Sequence, residues 1–300
     1  MEATMYEDLS KWRRRRRKKR IIWGIVIAVL VIALILLYVY RNRIIPWLEY
    51  GRAELSETAG NTQDAIDRFS VLGDYKDATA RATKLAHGMQ ADDSFTDALR
   101  AAEIGDVVTF GHYEQDDRAD NGKEPIRWIV FAKENGRVLL WSESVLDEQP
   151  YHNAREDITW EKCTLRTWLN GPFYEAAFSE TERALIAKTK LLNPNNTASY
   201  TSGGKDTPDK VFILSFAELV DLAWRNHYID DIYAMPSRYA VKQGVDMHSG
   251  YGTCCWWIRT PGAYQACATY CDMAGSPIYS ALANSAGYGV RPAIWILAGE

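Results

Sequence analysis

Residues 21–40 read IIWGIVIAVLVIALILLYVY, twenty residues without a charge or a proline. At 1.5 Å rise per residue such a helix reaches about 30 Å, the hydrocarbon thickness of one bilayer. Fourteen of the twenty are Leu, Ile or Val. Each favours insertion by roughly 0.3–0.6 kcal/mol, so together they outweigh the cost of any single polar neighbour. Trp23 lies near one end and Tyr38 and Tyr40 at the other, where aromatic rings settle at a membrane interface. The expectation is one transmembrane helix over 21–40, with the membrane itself as a partner.

Charge sets the expected orientation. Residues 1–20 hold nine Lys/Arg against three Asp/Glu, with a basic run bounded by Arg13 and Arg20. The positive-inside rule makes 1–20 a cytoplasmic tail and puts the C-terminal bulk outside the cell membrane. A cleaved signal peptide fits less well: the apolar run is long for a signal core, and Tyr-Val-Tyr-Arg-Asn-Arg follows it in place of a small-residue cleavage site. The run from Arg13 to Arg20 is suited to anionic lipid headgroups, at about 1 kcal/mol per basic residue. Outside the tail the balance reverses. Nine of the 35 Lys/Arg lie in 1–20 and two are Arg41 and Arg43, leaving 24 against 36 carboxylates. A surface near −12 repels nucleic acid and other polyanions.

Residues 44–100 are expected to form a helical stalk. Leu55, Ala65, Ile66, Phe69 and Leu72 recur at helical spacing between Gly60 and Gly73, which predicts helices at 47–58, 62–72 and 75–88. The segment AGNTQDAIDRF then GDYKDA resembles one tetratricopeptide-type hairpin, with Gly60, Ala65 and Phe69 at its turn and packing positions; Thr62 departs from its usual aromatic. One repeat is fewer than the three or so that normally stack, so a stalk packed on the next domain is expected ahead of a docking surface.

Residues 103–300 change to strands, turns and short helices, an α+β pattern. DVVTFGHY, IRWIVFA and RVLLW alternate apolar and polar residues across polar turns and predict a meander. The turn at 114–124 fails as an EF-hand, because Ala119 and Trp128 stand where oxygen ligands are required. Thr159 is placed to cap a helix over 160–169 that Gly171-Pro172 ends, and Ser179/Glu182 and Ser215/Glu218 read as capping boxes. Residues 193–209 and 274–288 read as long polar loops. In the C-terminal third, TCCWWIR, 266–273 and GVRPAIWI predict three strands. Trp256 and Trp257 face opposite sides of one doubly buried strand. Arg259 and Arg291 sit among apolar residues, where a guanidinium requires a carboxylate or several carbonyls. Trp257, Arg259 and Arg291 are therefore the candidate ligand-binding residues, with a structural role as the default.

Five cysteines, Cys163, Cys254, Cys255, Cys267 and Cys271, stand in a compartment that permits disulfides. A hairpin through Gly262 puts Cys254 opposite Cys271, the candidate disulfide. There is no CxxC pair, so no structural zinc is expected. No H-E-x-x-H, G-x-S-x-G or G-x-G-x-x-G occurs, so no catalytic residue, metal or cofactor is assigned.

The order GDVVTFGHYEQD, GKEPIRWIV, TWEKCTLRTWLNGPF, AFSETE, KVFILSFAE, WWIRTPG and GVRPAIWI resembles an uncharacterised bacterial domain family. That family occurs mainly in Gram-positive gut bacteria, often behind a membrane helix or helical repeats. The resemblance covers about 103–297, with Cys163 a departure from the small hydroxyl residue more usual there. The ending, a Trp-rich strand followed by a crossing strand and G-V-R-P, resembles C-type-lectin-like domains, the fold that formylglycine-generating enzymes also use. It implies a C-type-lectin-like mixed domain behind the transmembrane helix and stalk, with no activity to carry over. Three functions follow: a non-catalytic extracellular binding module for a glycan, a peptide or an envelope protein; an oxidase-like enzyme of the formylglycine-generating type; and the ligand-binding part of an envelope sensor. The first is the leading expectation.

Overall fold

The apolar run near the N-terminus is helical. In the computed structural model, which describes residue 23 and residues 26–89, 94–118, 120–226 and 232–299, helix Val26–Thr58 is long and apolar enough to cross a membrane, and none of its apolar stretch is buried in protein. The basic run from Arg13 to Arg20 lies outside the described residues. The chain divides into Met1–Arg52 and Ala53–Glu300, and the functional geometry below belongs to the second unit.

In that unit, helices Thr62–Leu72 and Ala78–Gly88 form a hairpin. Ala65, Ile66, Phe69, Ala82 and Ala86 are buried, as their i, i+3, i+4 spacing predicts. Leu55 departs from that pattern and is exposed. The second helix begins at 78 rather than 75, because the turn needs left-handed backbone at Gly73 and Lys76. The hairpin is fastened to the α+β part by charge. Asp67 lies 2.8 Å from Lys210 and 3.4 Å from Lys188. Lys210 is buried, and its ammonium also donates to the Ile186 carbonyl at 3.0 Å. At the other helix, His87 Nε2 lies 3.1 Å from the Leu297 carbonyl.

Two five-stranded sheets make up the α+β part. The strands are β1 (Val107–Tyr113), β2 (Glu124–Glu134), β3 (Arg137–Ser142), β4 (Asp147–Glu148), β5 (Thr189–Leu191), β6 (Thr207–Asp209), β7 (Val211–Phe212), β8 (Trp256–Pro261), β9 (Cys267–Cys271), β10 (Pro277–Leu282), β11 (Gly289–Val290) and β12 (Ala293–Leu297). One sheet runs β1-β2-β3-β12-β7, the other β10-β9-β8-β11-β4, and β5 pairs with β6. The predicted meander is β1 to β3, antiparallel throughout. The last strand, β12, inserts between β3 and β7. The C-terminus therefore closes the sheet that the meander opened.

Two expectations are corrected. Residues 274–288 are not one loop: Pro277–Leu282 is a strand paired with β9. Nor does Gly171-Pro172 end a single helix. The segment passes from a 3-10 turn at Trp160–Lys162 to a helix at Thr164–Trp168, and then through a π turn at Leu169–Phe173 that contains Pro172. A wider turn accommodates a residue without an N–H. Thr159 makes no cap; Cys163 does, its sulfur accepting from the Arg166 N–H at 3.4 Å. Both capping boxes form, at Ser179/Glu182 and Ser215/Glu218.

The sheets meet over Arg291. Its guanidinium carbon lies 3.3 Å from the Trp141 ring centroid on β3 and 5.4 Å from that of Trp256 on β8. The two indoles approach edge-on at 5.5 Å.

The hairpin clamp makes a contrast that can be measured. Asp67→Ala leaves the buried Lys210 ammonium unpaired and is expected to lower stability by about 3 kcal/mol. Lys188→Ala removes a half-exposed partner and should cost about 0.5 kcal/mol or less. Thermal unfolding of the detergent-solubilised chain compares the two.

Candidate functional site

Residues 192–204 arch away from the small β5-β6 sheet and are held in place from below. Asn196 donates to the Pro261 carbonyl at 2.8 Å and accepts from the Ala198 N–H. Thr201 donates to the Gly262 carbonyl at 2.6 Å. Gly203 approaches the Asn193 and Pro194 carbonyls so closely that a Cβ there would collide with backbone. The polar composition that predicts a loop thus supplies the side chains that fix its shape.

Arg259 anchors this arch. Nε donates to Asn193 Oδ1 at 2.9 Å, Nη1 to the Ile213 carbonyl and Glu218 Oε2, and Nη2 to the Leu192 carbonyl and Glu218 Oε1 at 2.7 Å. A guanidinium has five N–H groups, and all five are engaged. The paired carboxylate is the same one that closes the Ser215 capping box. Glu218 therefore joins the start of helix Phe216–Asn226 to β8 and, through Arg259, to the loop.

A cavity of about 190 Å³ opens above this clamp, lined by Asn195, Asn196, Phe216, Arg259, Pro261 and Tyr279 among others. A groove of about 540 Å³ lies on the other side of Leu192, Pro194, Ser215 and Ala217, walls that the two share. Arg137 and Trp295 line the groove together with Glu134, Lys190 and Leu191.

Of the three residues expected to contact a ligand, only Arg259 lines either space, and its donors are occupied. Trp257 is fully buried; its indole N–H donates to the Gln149 carbonyl at 2.9 Å and its ring lies 4.3 Å from that of Tyr288. Arg291 is held between the sheets. Arg137 and Trp295 escape sequence reasoning because they are 158 positions apart, and only the β3-β12 register makes them neighbours.

No disulfide joins Cys254 and Cys271, and all five cysteines are free thiols. The β8-β9 register sets Cys271 opposite Trp256, two residues beyond Cys254. Cys254 instead donates to the Ala234 carbonyl at 3.6 Å. Burial pushes the thiols of Cys163, Cys254 and Cys271 up to about 12. The acidic turn brings Glu114, Asp116 and Glu124 together. Glu124 Oε2 accepts from the N–H groups of Gln115 and Asp116, and Glu114 Oε1 from that of Arg118, so these carboxylates fasten the turn.

What the fold and site define is a mixed α+β domain with open surface cavities, following an apolar helix in the chain. A family model described as a domain of unknown function (DUF6273) matches residues 135–298, more than half of the chain, and the chain belongs to that family. No curated protein and no solved structure matches it. The matched segment takes in β3 through β12, and so both cavities' shared wall; β1 and β2 precede it.

Thiol chemistry gives a test of this packing. Folding raises these thiol pKa values above the ordinary 9.0, so the unfolded state releases protons first and stability falls as pH rises from about 9 toward 12. At pH 8, iodoacetamide is expected to label half-buried Cys255 first, with Cys163, Cys254 and Cys271 following only as the protein unfolds. Mass spectrometry of the native and urea-treated chain reads the order.

Proposed function

We propose that this chain is a single-pass membrane protein with residues 1–20 in the cytoplasm. Its α+β domain then acts outside the cell as a non-catalytic binding module. The observation that carries the reading is the pairing, in one chain, of an unburied apolar helix of bilayer length with a domain whose two surface cavities share one rigidly clamped wall. A clamp with every guanidinium donor occupied is suited to presenting a fixed surface. The tetratricopeptide-like hairpin is read as the spacer next to that domain. The C-type-lectin-like description rests on the sequence order of the Trp-rich strand and G-V-R-P. Loop-borne binding at 192–204 is in keeping with it. The ligand is a glycan, a peptide or another envelope protein, and the basic tail contacts anionic lipids.

The oxidase-like alternative is less well supported. It calls for reactive cysteines, whereas Cys254 and Cys271 are buried with their thiol pKa values raised, the opposite of thiolate activation.

A screen of cell-wall glycan and peptide fragments against the full chain in lipid nanodiscs tests the function: at least one class should bind, and a blank screen removes the module reading. Orientation has its own measurement. Protease added to intact expressing cells should release the domain while sparing an epitope fused to residue 1. Loss of the epitope with the domain protected would invert the topology.

A further inference from the structure

Buried Arg259 and Arg291 and partly buried Arg137 differ in how their donors are used. Arg259 has all five N–H groups engaged. Arg291 donates to three backbone carbonyls. Among the described residues Arg137 has one hydrogen bond, a long one of 3.4 Å from Nη2 to Glu134, although only 11% of its side chain is exposed. Its Nε is buried with no acceptor among those residues. Leaving a buried donor unmade costs about 1–3 kcal/mol, more for a charged group, so the position is disfavoured unless something completes it.

The surroundings define what that would be. Register puts Glu134, Arg137, Leu139 and Trp295 on one face of the sheet, Glu134 opposite Arg137 and Leu139 opposite Trp295. The guanidinium carbon lies 5.0 Å from the Trp295 ring centroid. Arg137 also lines the groove, and a guanidinium with unused N–H donors is matched by a forked, planar acceptor. Burial also lowers the Arg137 pKa, with the charges of Glu134 and Asp74 opposing it. Glu134, Glu218 and Asp221 border the same groove, which disfavours a dianion such as phosphate and leaves a monoanion. Val71, Leu191 and Ala217 offer apolar wall beside it.

We propose that the groove between β3, β12 and helix Phe216–Asn226 is a binding site for a small carboxylate, held edge-on by Arg137 over Trp295. The proposal rests on the binding-module reading and assigns that module its ligand chemistry. A peptide C-terminus and a uronic sugar both carry such a group.

Calorimetry of the full chain in nanodiscs separates the sources. N-acetyl-alanyl-alanine is compared with its C-terminal amide, and glucuronate with glucose. At least one carboxylate should bind, its neutral counterpart should not, and the carboxylate that binds names the source. Arg137→Lys keeps the charge but loses the fork and should weaken binding about tenfold or more. Glu134→Gln removes the competing negative charge at an exposed position and should tighten it, which keeps the test informative if the lysine variant folds poorly. Carboxylates that fail to bind, or that bind both variants as they bind the parent, overturn the proposal. If the fragment screen still yields a neutral ligand, the binding module survives without this site; if that screen is blank too, both readings fall.

Discussion

The α+β unit depends on a cation packed against one indole and beside a second. Arg291 follows β11 of one sheet and precedes β12 of the other, so its backbone is the crossing point between them. Its guanidinium lies against Trp141 and beside Trp256 and donates to the Ser142, Glu143 and Ile232 carbonyls. Those carbonyls belong to the end of β3 and to the segment that leads into helix Arg238–Gln243. An apolar side chain of similar size would fill the volume and leave the carbonyls unsatisfied. Arginine supplies both area and donors, and its flat face suits indole.

From that crossing the walls of the two cavities follow. β12 leaves Arg291 and runs between β3 and β7, which brings Trp295 to Arg137 and forms the floor of the groove. β8 runs from Trp256 to Arg259, so the strand that packs the inter-sheet core ends in the clamp that holds loop 192–204. Core and site are thus two ends of the same strands. A change at Trp256 or Arg291 would reach the cavities through backbone rather than through any ligand contact.

Much of the local structure was legible. The meander, both capping boxes and the hairpin helices announce themselves through alternation, Ser-x-x-Glu spacing and i, i+4 apolar residues, signals that operate within ten or so positions. The misread places share a cause. Pro172 signals a helix end, yet the chain absorbs it in a π turn because Leu169 and Phe173 are both buried in the core. The segment 277–282 is short and set between turn residues, Gly275-Ser276 and Asn284-Ser285, but it needs only one sheet neighbour, and β9 supplies it. The Cys254-Cys271 pairing assumed a hairpin centred on Gly262, whereas the turn runs over 262–266 and leaves Cys271 facing Trp256. Trp257 and Arg259 were singled out for their chemistry, and the structure gives that chemistry to the protein's own carbonyls and carboxylate.

The sequence by itself determined the apolar helix, the charge contrast between tail and domain, the α+β character and the default role of buried Trp and Arg. These are sums over neighbouring residues, and neighbours along the chain suffice to evaluate them. Only the tertiary structure decided which arginine is satisfied and which is left wanting an acceptor. Arg137 and Arg259 stand in apolar strands and Arg291 between two of them, and nothing local tells them apart. Their difference lies in partners brought from 41 to 149 positions away for Arg259 and Arg291, and in the absence of such a partner for Arg137 among the described residues. Hydrogen bonds reach about 3 Å in space whatever the separation in sequence, so the fold alone fixes where a donor remains open.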